Sequence, residues 1–257
     1  MSSNTKKIRS DIALIECGLA KDLVHARSLI SCGLVLLGDK KIEPNSVVDI
    51  AQVSSVGFRI KDSKAHVSRG AVKLQTIFNS TDINVSNYEC IDVGASTGGF
   101  TEVLLSKGAK LVYAVDVGKN ILDYKLRSDP RVITMEGINA RFLDEEKIIL
   151  DKIKHESLDL AVMDLSFISL KLVVPKVLPF IKKGGIVIPL VKPQFEVEQS
   201  KVEKGGVVKD QELIKELIEQ MKTFFNSNGL LVNSVIPSQL KGPSGNQEYF
   251  FMCLKTG

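Results

Sequence analysis

The stretch YECIDVGASTGGFTEVLLSKGAKLVYAVD, Tyr88 to Asp116, decides the fold. Its apolar run, glycine-rich loop, helical pattern and second apolar run read as strand, loop, helix, strand, with Asp92 and Asp116 toward the ends of the two strands. The loop approaches the dinucleotide fingerprint and departs from it. After Gly94 the second required glycine is replaced by Ser96, and glycines return only at Gly98 and Gly99.

Outward from this unit, strands continue to alternate with helices: RVITMEG, LDLAVMDLSF, GGIVIPLVKPQF, LLVNSVIPSQL and NQEYFFMCL. Runs such as LDLAVMD and GIVIPLV are nearly all apolar, as strands buried on both faces require. The segment DQELIKELIEQMKTFFNSNG is apolar at 213, 214, 217, 218, 221, 224 and 225, with Asp210 placed as N-cap and Gly229 beyond its end. The expected fold is a doubly wound α/β sheet over 71–257, with its ligand at the carboxyl ends of the strands.

The 257 residues leave room for a second, smaller module in front. IRSDIALIECGLA and KDLVHARSLISCG are apolar at helical spacing and stop at Gly18 and Gly33, and LVLLGDKKIEPNSVVDI reads as short strands around a Gly-Asp turn. Residues 1–60 therefore form an expected α+β module, and the polar stretch 61–70 a linker. Lys73 falls one turn inside a following helix expected over Ala71 to Phe78.

Charge separates the two parts. Through residue 75 there are twelve Lys and Arg against seven Asp and Glu, while the remainder has 22 against 23, so the net charge of +4 comes from the front. Such a split points to a polyanionic partner, above all a nucleic acid. With 44% hydrophobic and 25% charged residues the chain is an ordinary globular one. No apolar run reaches the roughly 20 residues that span a bilayer, so a cytoplasmic protein without a membrane role is expected. Cys17, Cys32, Cys90 and Cys253 form no CxxC pair and only three His are present, so neither disulfides nor a metal site is expected.

The loop's ligand follows from its two ends. Glycines at 94, 98 and 99 and the next helix's N-terminus suit a pyrophosphate or a carboxylate, Asp92 suits an ammonium, and Asp116 suits both hydroxyls of a ribose. S-adenosylmethionine carries an amino acid at one end and adenosine at the other, and it fits better than a nicotinamide cofactor. Ala95, Ser96 and Phe100 complete the loop, and Asn139, after the third strand, could meet the adenine. Asp164, Lys192 and Glu248 stand at three further strand ends, costly to bury unless paired or facing a cleft. With Lys73 they form two bases and two acids able to deprotonate an alcohol.

Two resemblances sharpen this. On Arg9, Asp11, Ala26, Arg27 and LISCGLVLLGDKKIEP, the front resembles the small RNA-binding domain shared by a small-subunit ribosomal protein, many pseudouridine synthases and bacterial tyrosyl-tRNA synthetases. It implies RNA binding, for which Arg9 and the outward Lys21, Arg27, Lys40 and Lys41 are candidates, with Arg69 inside the linker. On VSRGAVKL, DVGASTGGFTEVLL, DLSFISL, PLVKPQFE, KGGVVKD and GPSGNQEYF, nearly the whole chain is similar to the TlyA family of ribosomal RNA methyltransferases, also named hemolysins, with an FtsJ-type catalytic domain. The resemblance implies a Lys73, Asp164, Lys192, Glu248 tetrad for 2′-O-methylation of cytidine in ribosomal RNA. The chain stops after its last strand, without the helical extension of family members that modify both subunits. This sets the expectation of large-subunit RNA. A membrane-active hemolysin and an RNA-binding assembly factor with a vestigial pocket are the competing classes.

Overall fold

The computed structural model describes residues 7–20, 23–31, 35–42, 46–60 and 68–257. They fall into two compact units, one ending at Ser68 and one running from Arg69 to Gly257. Lys21, Gly33 and most of the expected linker lie outside the described residues.

In the front unit β1 (Lys7–Arg9) leads into α1 (Ser10–Glu16), followed by α2 (Leu23–Ser31), β2 (Val35–Leu37), β3 (Lys40–Lys41), β4 (Val47–Asp49), α3 (Ile50–Val56) and β5 (Phe58–Ile60). β1 pairs with β4, and β3, β2 and β5 form a second antiparallel sheet. Ala13, Leu14, Ala26, Ile30, Val35 and Leu37 make its core. Helix α3 stands where only short β pieces were expected. It buries none of its residues, so no apolar period marks it, and its start comes from Asp49 accepting the Ala51 amide at 2.9 Å.

The second unit opens with α4 (Arg69–Ser80), which starts two residues earlier than expected. It continues through β6 (Glu89–Val93), α5 (Gly99–Ser106), β7 (Leu111–Asp116), α6 (Tyr124–Arg127), β8 (Val132–Glu136), α7 (Lys147–Lys152) and β9 (Leu158–Met163). Then come α8 (Leu170–Val177), β10 (Ile181–Val191), α9 (Pro193–Glu196), α10 (Gln211–Ser227), β11 (Leu230–Pro237) and β12 (Tyr249–Lys255). The seven strands lie in the order β11, β12, β10, β9, β6, β7, β8. From β8 to β10 all pairs are parallel, and β12 runs antiparallel to both its neighbours. The doubly wound α/β architecture is therefore as expected.

The interior strands bury almost every residue, which explains their unbroken apolar runs. Helix α10 contributes Ile214, Leu217, Met221 and Phe225 to the core, and Asp210 caps it by accepting from Glu212 and Leu213 amides at 2.9 and 3.2 Å. Two features of this sheet place the site. The chain leaves β6 toward β7 on one side and returns to β9 on the other, which opens a crevice at the carboxyl ends of these strands. Because β12 is reversed, its amino end arrives at that same rim.

Candidate active site

The glycine loop joins β6 to α5 and satisfies most of its own amides. Gly94 and Ala95 donate to the Val115 carbonyl at 2.8 and 3.0 Å, Gly98 donates to the Ala95 carbonyl at 2.8 Å, and Ser96 donates to Asp116 Oδ2 at 2.8 Å. The Gly118 amide donates to the other Asp116 oxygen at 2.7 Å. Asp116 therefore ties the loops after β6 and β7 together.

The glycines answer to packing within the protein. At Gly94, with φ +86°, a Cβ would stand 2.7 Å from the Asp164 carbonyl oxygen, and at Gly98, with φ +98°, it would collide with Leu122 and Leu126. Ser96 holds φ +51° without being glycine. Gly99 and Phe100 open α5, where helix geometry leaves amides without a carbonyl one turn earlier. The Phe100 ring is buried against Phe250, with centroids 5.9 Å apart.

Asp92 lies inside β6, fully buried. Its Oδ2 accepts from the Thr101 amide at 2.9 Å and hydroxyl at 2.7 Å, fixing the first turn of α5, while Oδ1 has no hydrogen-bond partner. Burial pushes its carboxyl up to about 7 against the pull of the Thr101 hydrogen bonds, and the charges of Asp164 and Asp116 add to the rise.

A cleft of about 410 Å³ opens at the switch point. Gly94, Ser96, Asp116, Asn139 and Asp164 line it, with Ile121 and Ile138 as apolar wall. Asp92, Ala95, Gly98, Gly99 and Phe100 lie outside that lining. Among the described lining residues the only ionisable side chains are Asp116 and Asp164. This electrostatic character favours a cation and opposes a pyrophosphate. Asn139 Oδ1 accepts from the Arg141 amide at 3.1 Å, and its amide nitrogen is the polar group left for a ligand edge.

The four ionisable candidates form two pairs, in which Lys73, Glu248 and Lys192 are buried and Asp164 is partly exposed. Lys192 Nζ stands 2.6 Å from Asp164 Oδ1, and Lys73 Nζ stands 2.6 Å from Glu248 Oε2. Both separations are those of ion pairs, and neither is aligned as a hydrogen bond. Lys192 also donates to Ser166 Oγ at 3.0 Å, and Ser166 lines the cleft. Asp164 follows β9, Lys192 follows β10 and Glu248 precedes β12. Since Val191 pairs with Tyr249 in the ladder, Lys192 and Glu248 are the next opposed positions. Lys73, in the second turn of α4, reaches this rim through Glu248.

Of the RNA candidates, Arg9 and Arg27 converge on buried Asp11. Arg9 Nη2 donates to Asp11 Oδ2 at 2.6 Å and Arg27 Nε to the same oxygen at 2.9 Å, and the Arg9 hydrogen bond holds the Asp11 carboxyl down at about 2. Lys40 and Lys41 are exposed in β3. Arg69 donates to the Lys241 carbonyl at 3.1 Å within the second unit. The described residues contain no group of three or more His, Cys, Asp or Glu able to hold a metal, and no described helix is long and apolar enough to cross a membrane.

Ser166, Phe167 and Phe195 went unread in the sequence. Phe167 lines the cleft at φ +64°, is 92% exposed, and its ring meets that of Phe195 at 5.2 Å. A left-handed backbone is uncommon and strained for a bulky residue. The one sequence signal was the polar serine interrupting an apolar run in DLSF.

Residues 66–255 match the FtsJ-like methyltransferase family. The chain is 41% identical to 16S/23S rRNA (cytidine-2′-O)-methyltransferase TlyA of Mycobacterium tuberculosis, over 95% of this chain and 89% of that protein. It is 38% identical to Hemolysin A of Brachyspira hyodysenteriae, over 79% of this chain and 85% of that one. A solved structure of a hemolysin-named protein from Streptococcus thermophilus superposes with TM-score 0.73 at 34% identity, covering 98% of this chain and 90% of that chain. The chain belongs to the FtsJ-like methyltransferase family, whose methyl donor is S-adenosylmethionine.

Proposed function

We propose that this protein methylates the ribose 2′-hydroxyl of a cytidine in ribosomal RNA, and hence works in the cytoplasm. The observation that carries the reading is an anionic cleft at the switch point with a buried lysine pair at its rim. The name of the mycobacterial relative supports the choice of cytidine and of ribosomal RNA. The residues lining the cleft fit S-adenosylmethionine: Asp116 would take the ribose hydroxyls and Asn139 the adenine edge, while the acidic surroundings suit its positive charges. When bound, the donor supplies a methyl group on a positively charged sulfur.

Lys192 is the base in this reading, because it touches two cleft-lining residues whereas Lys73 meets Glu248 behind them. It takes the acceptor hydroxyl's proton, and Asp164 holds the resulting ammonium. Glu248 orients Lys73 and balances its charge. Phe167 offers a face on which the acceptor base can stack. In the front unit, Arg9 and Arg27 present guanidinium groups pre-ordered by Asp11 toward RNA phosphates, with Lys40 and Lys41 adding charge.

The test is transfer of labelled methyl from the donor to ribosomal RNA, with nucleosides resolved by mass spectrometry. Ribose-methylated cytidine is expected from the wild type, and Lys192→Ala should abolish it while binding the donor within a few-fold of normal. A base-methylated product, or full transfer by the lysine variant, overturns the reading.

A further inference from the structure

We propose that Glu196 is a positioning residue for this reaction: it sets the spacing between the segment that carries Lys192 and the loop that carries Asp164. The inference rests on the function proposed above. Segment 192–196 and loop 164–169 face each other across three successive contacts. The first is Lys192 with Asp164 and Ser166, at 2.6 and 3.0 Å. The second is the Phe195 ring against Phe167, at 5.2 Å. The third is Glu196, whose Oε2 accepts from Ser169 Oγ at 2.6 Å and whose Oε1 accepts from the Leu170 amide at 2.7 Å.

These contacts differ in what turnover asks of them. The first changes when Lys192 gains or loses its proton. The second involves a ring that is 92% exposed and belongs to the cleft lining. The third is a two-point grip that takes no part in proton transfer and can stay closed throughout. Ser169 Oγ in turn accepts from the Lys171 amide at 3.1 Å as the N-cap of α8, so Glu196 holds the cap and the first amide of that helix at once. Burial raises the Glu196 carboxyl above its ordinary range, and both hydrogen bonds oppose that rise. A simple helix cap would contribute stability alone. A spacer also fixes where Lys192 sits relative to Asp164, and small misplacements of reacting groups are costly.

The experiment uses the full chain with single-turnover methyl transfer, donor calorimetry and thermal unfolding, at a temperature where each variant is fully folded. Glu196→Ala loses both hydrogen bonds, Ser169→Ala keeps only the one from the Leu170 amide, and Glu196→Gln keeps that one but replaces the acceptor facing Ser169 with a donor. The expected result is a transfer rate about 10- to 100-fold lower for Glu196→Ala, intermediate losses for the other two, and donor affinity within about two-fold of wild type. The limb of the pH–rate profile that reports the base should also move in Glu196→Ala, which a helix cap would not cause. Transfer within about two-fold of wild type in folded Glu196→Ala overturns the proposal, as does a loss that tracks only the folded fraction. Should that variant not fold, the Glu196→Gln and Ser169→Ala rates decide by the same criteria. A wild type that binds the donor and transfers nothing overturns the function itself, a separate outcome from an active wild type whose variants are equally active.

Discussion

Adding one methyl group at Gly242 should disable the rim without unfolding the protein. A Cβ there would stand 2.6 Å from Glu248 Oε1 and 3.3 Å from its Cδ, and the Gly242 backbone lies outside the left-handed region, so alanine meets no backbone strain. Glu248 is fully buried and its carboxylate must retreat by about 0.8 Å to reach ordinary contact, which begins at 3.4 Å. If the retreat lengthens the 2.6 Å separation from Lys73 by that amount, the attraction falls from about 6.4 to about 4.9 kcal/mol at an effective dielectric near 20, a loss of roughly tenfold in whatever depends on it. Misplacing Lys73 at the rim adds to this on the proposed mechanism, so Gly242→Ala should transfer methyl about 10- to 100-fold more slowly in a single turnover. Donor affinity by calorimetry should stay within about two-fold, since neither Gly242 nor Glu248 lines the cleft. A folded variant that transfers at the wild-type rate would refute the coupling of Glu248 position to turnover.

Asp92 makes stability depend on pH. Its folded pKa of about 7 lies above the usual value near 3.9, so between about pH 4 and 7 the folded chain keeps a proton that the unfolded chain releases, and stability falls as pH rises through that window. Asp92→Asn should flatten this part of the profile in urea denaturation at pH 5 and 7, and an unchanged slope would count against the assignment. Phe167→Ala should leave the unfolding midpoint nearly unchanged, because the ring is exposed and alanine keeps the same Cβ at this φ, yet weaken RNA turnover by about 5- to 150-fold if a base stacks there. Steady-state kinetics on ribosomal RNA checks this, and normal turnover would remove the ring from the acceptor site.

The architecture was legible because burial writes itself locally. The apolar runs of β6, β7 and β9 and the three-to-four spacing of α10 record which faces are covered, and the loop's departure at Ser96 from the dinucleotide spacing pointed away from a nicotinamide. Asp164, Lys192 and Glu248 could be singled out for the same reason: charge at the end of an apolar strand needs an explanation. Helix α3 carried no such record, since none of its residues is fully buried.

Which charge meets which was decided only in three dimensions. Lys73 joins Glu248, and Lys192 joins Asp164, because β12 enters the sheet reversed beside β10 and brings its first residues to the rim where β9 and β10 end. The reasons for the glycines also changed with tertiary structure. Gly94 and Gly98 yield to the Asp164 carbonyl and to Leu122 and Leu126, neighbours that the local pattern does not name. The exposure of Phe167 is likewise tertiary: its ring lies against Phe195 of segment 192–196 and is turned outward, which the local string DLSF does not show. Local periodicity reports how deeply a residue is buried, whereas partners distant in the chain are set by strand order and register, which depend on the packing of the whole sheet.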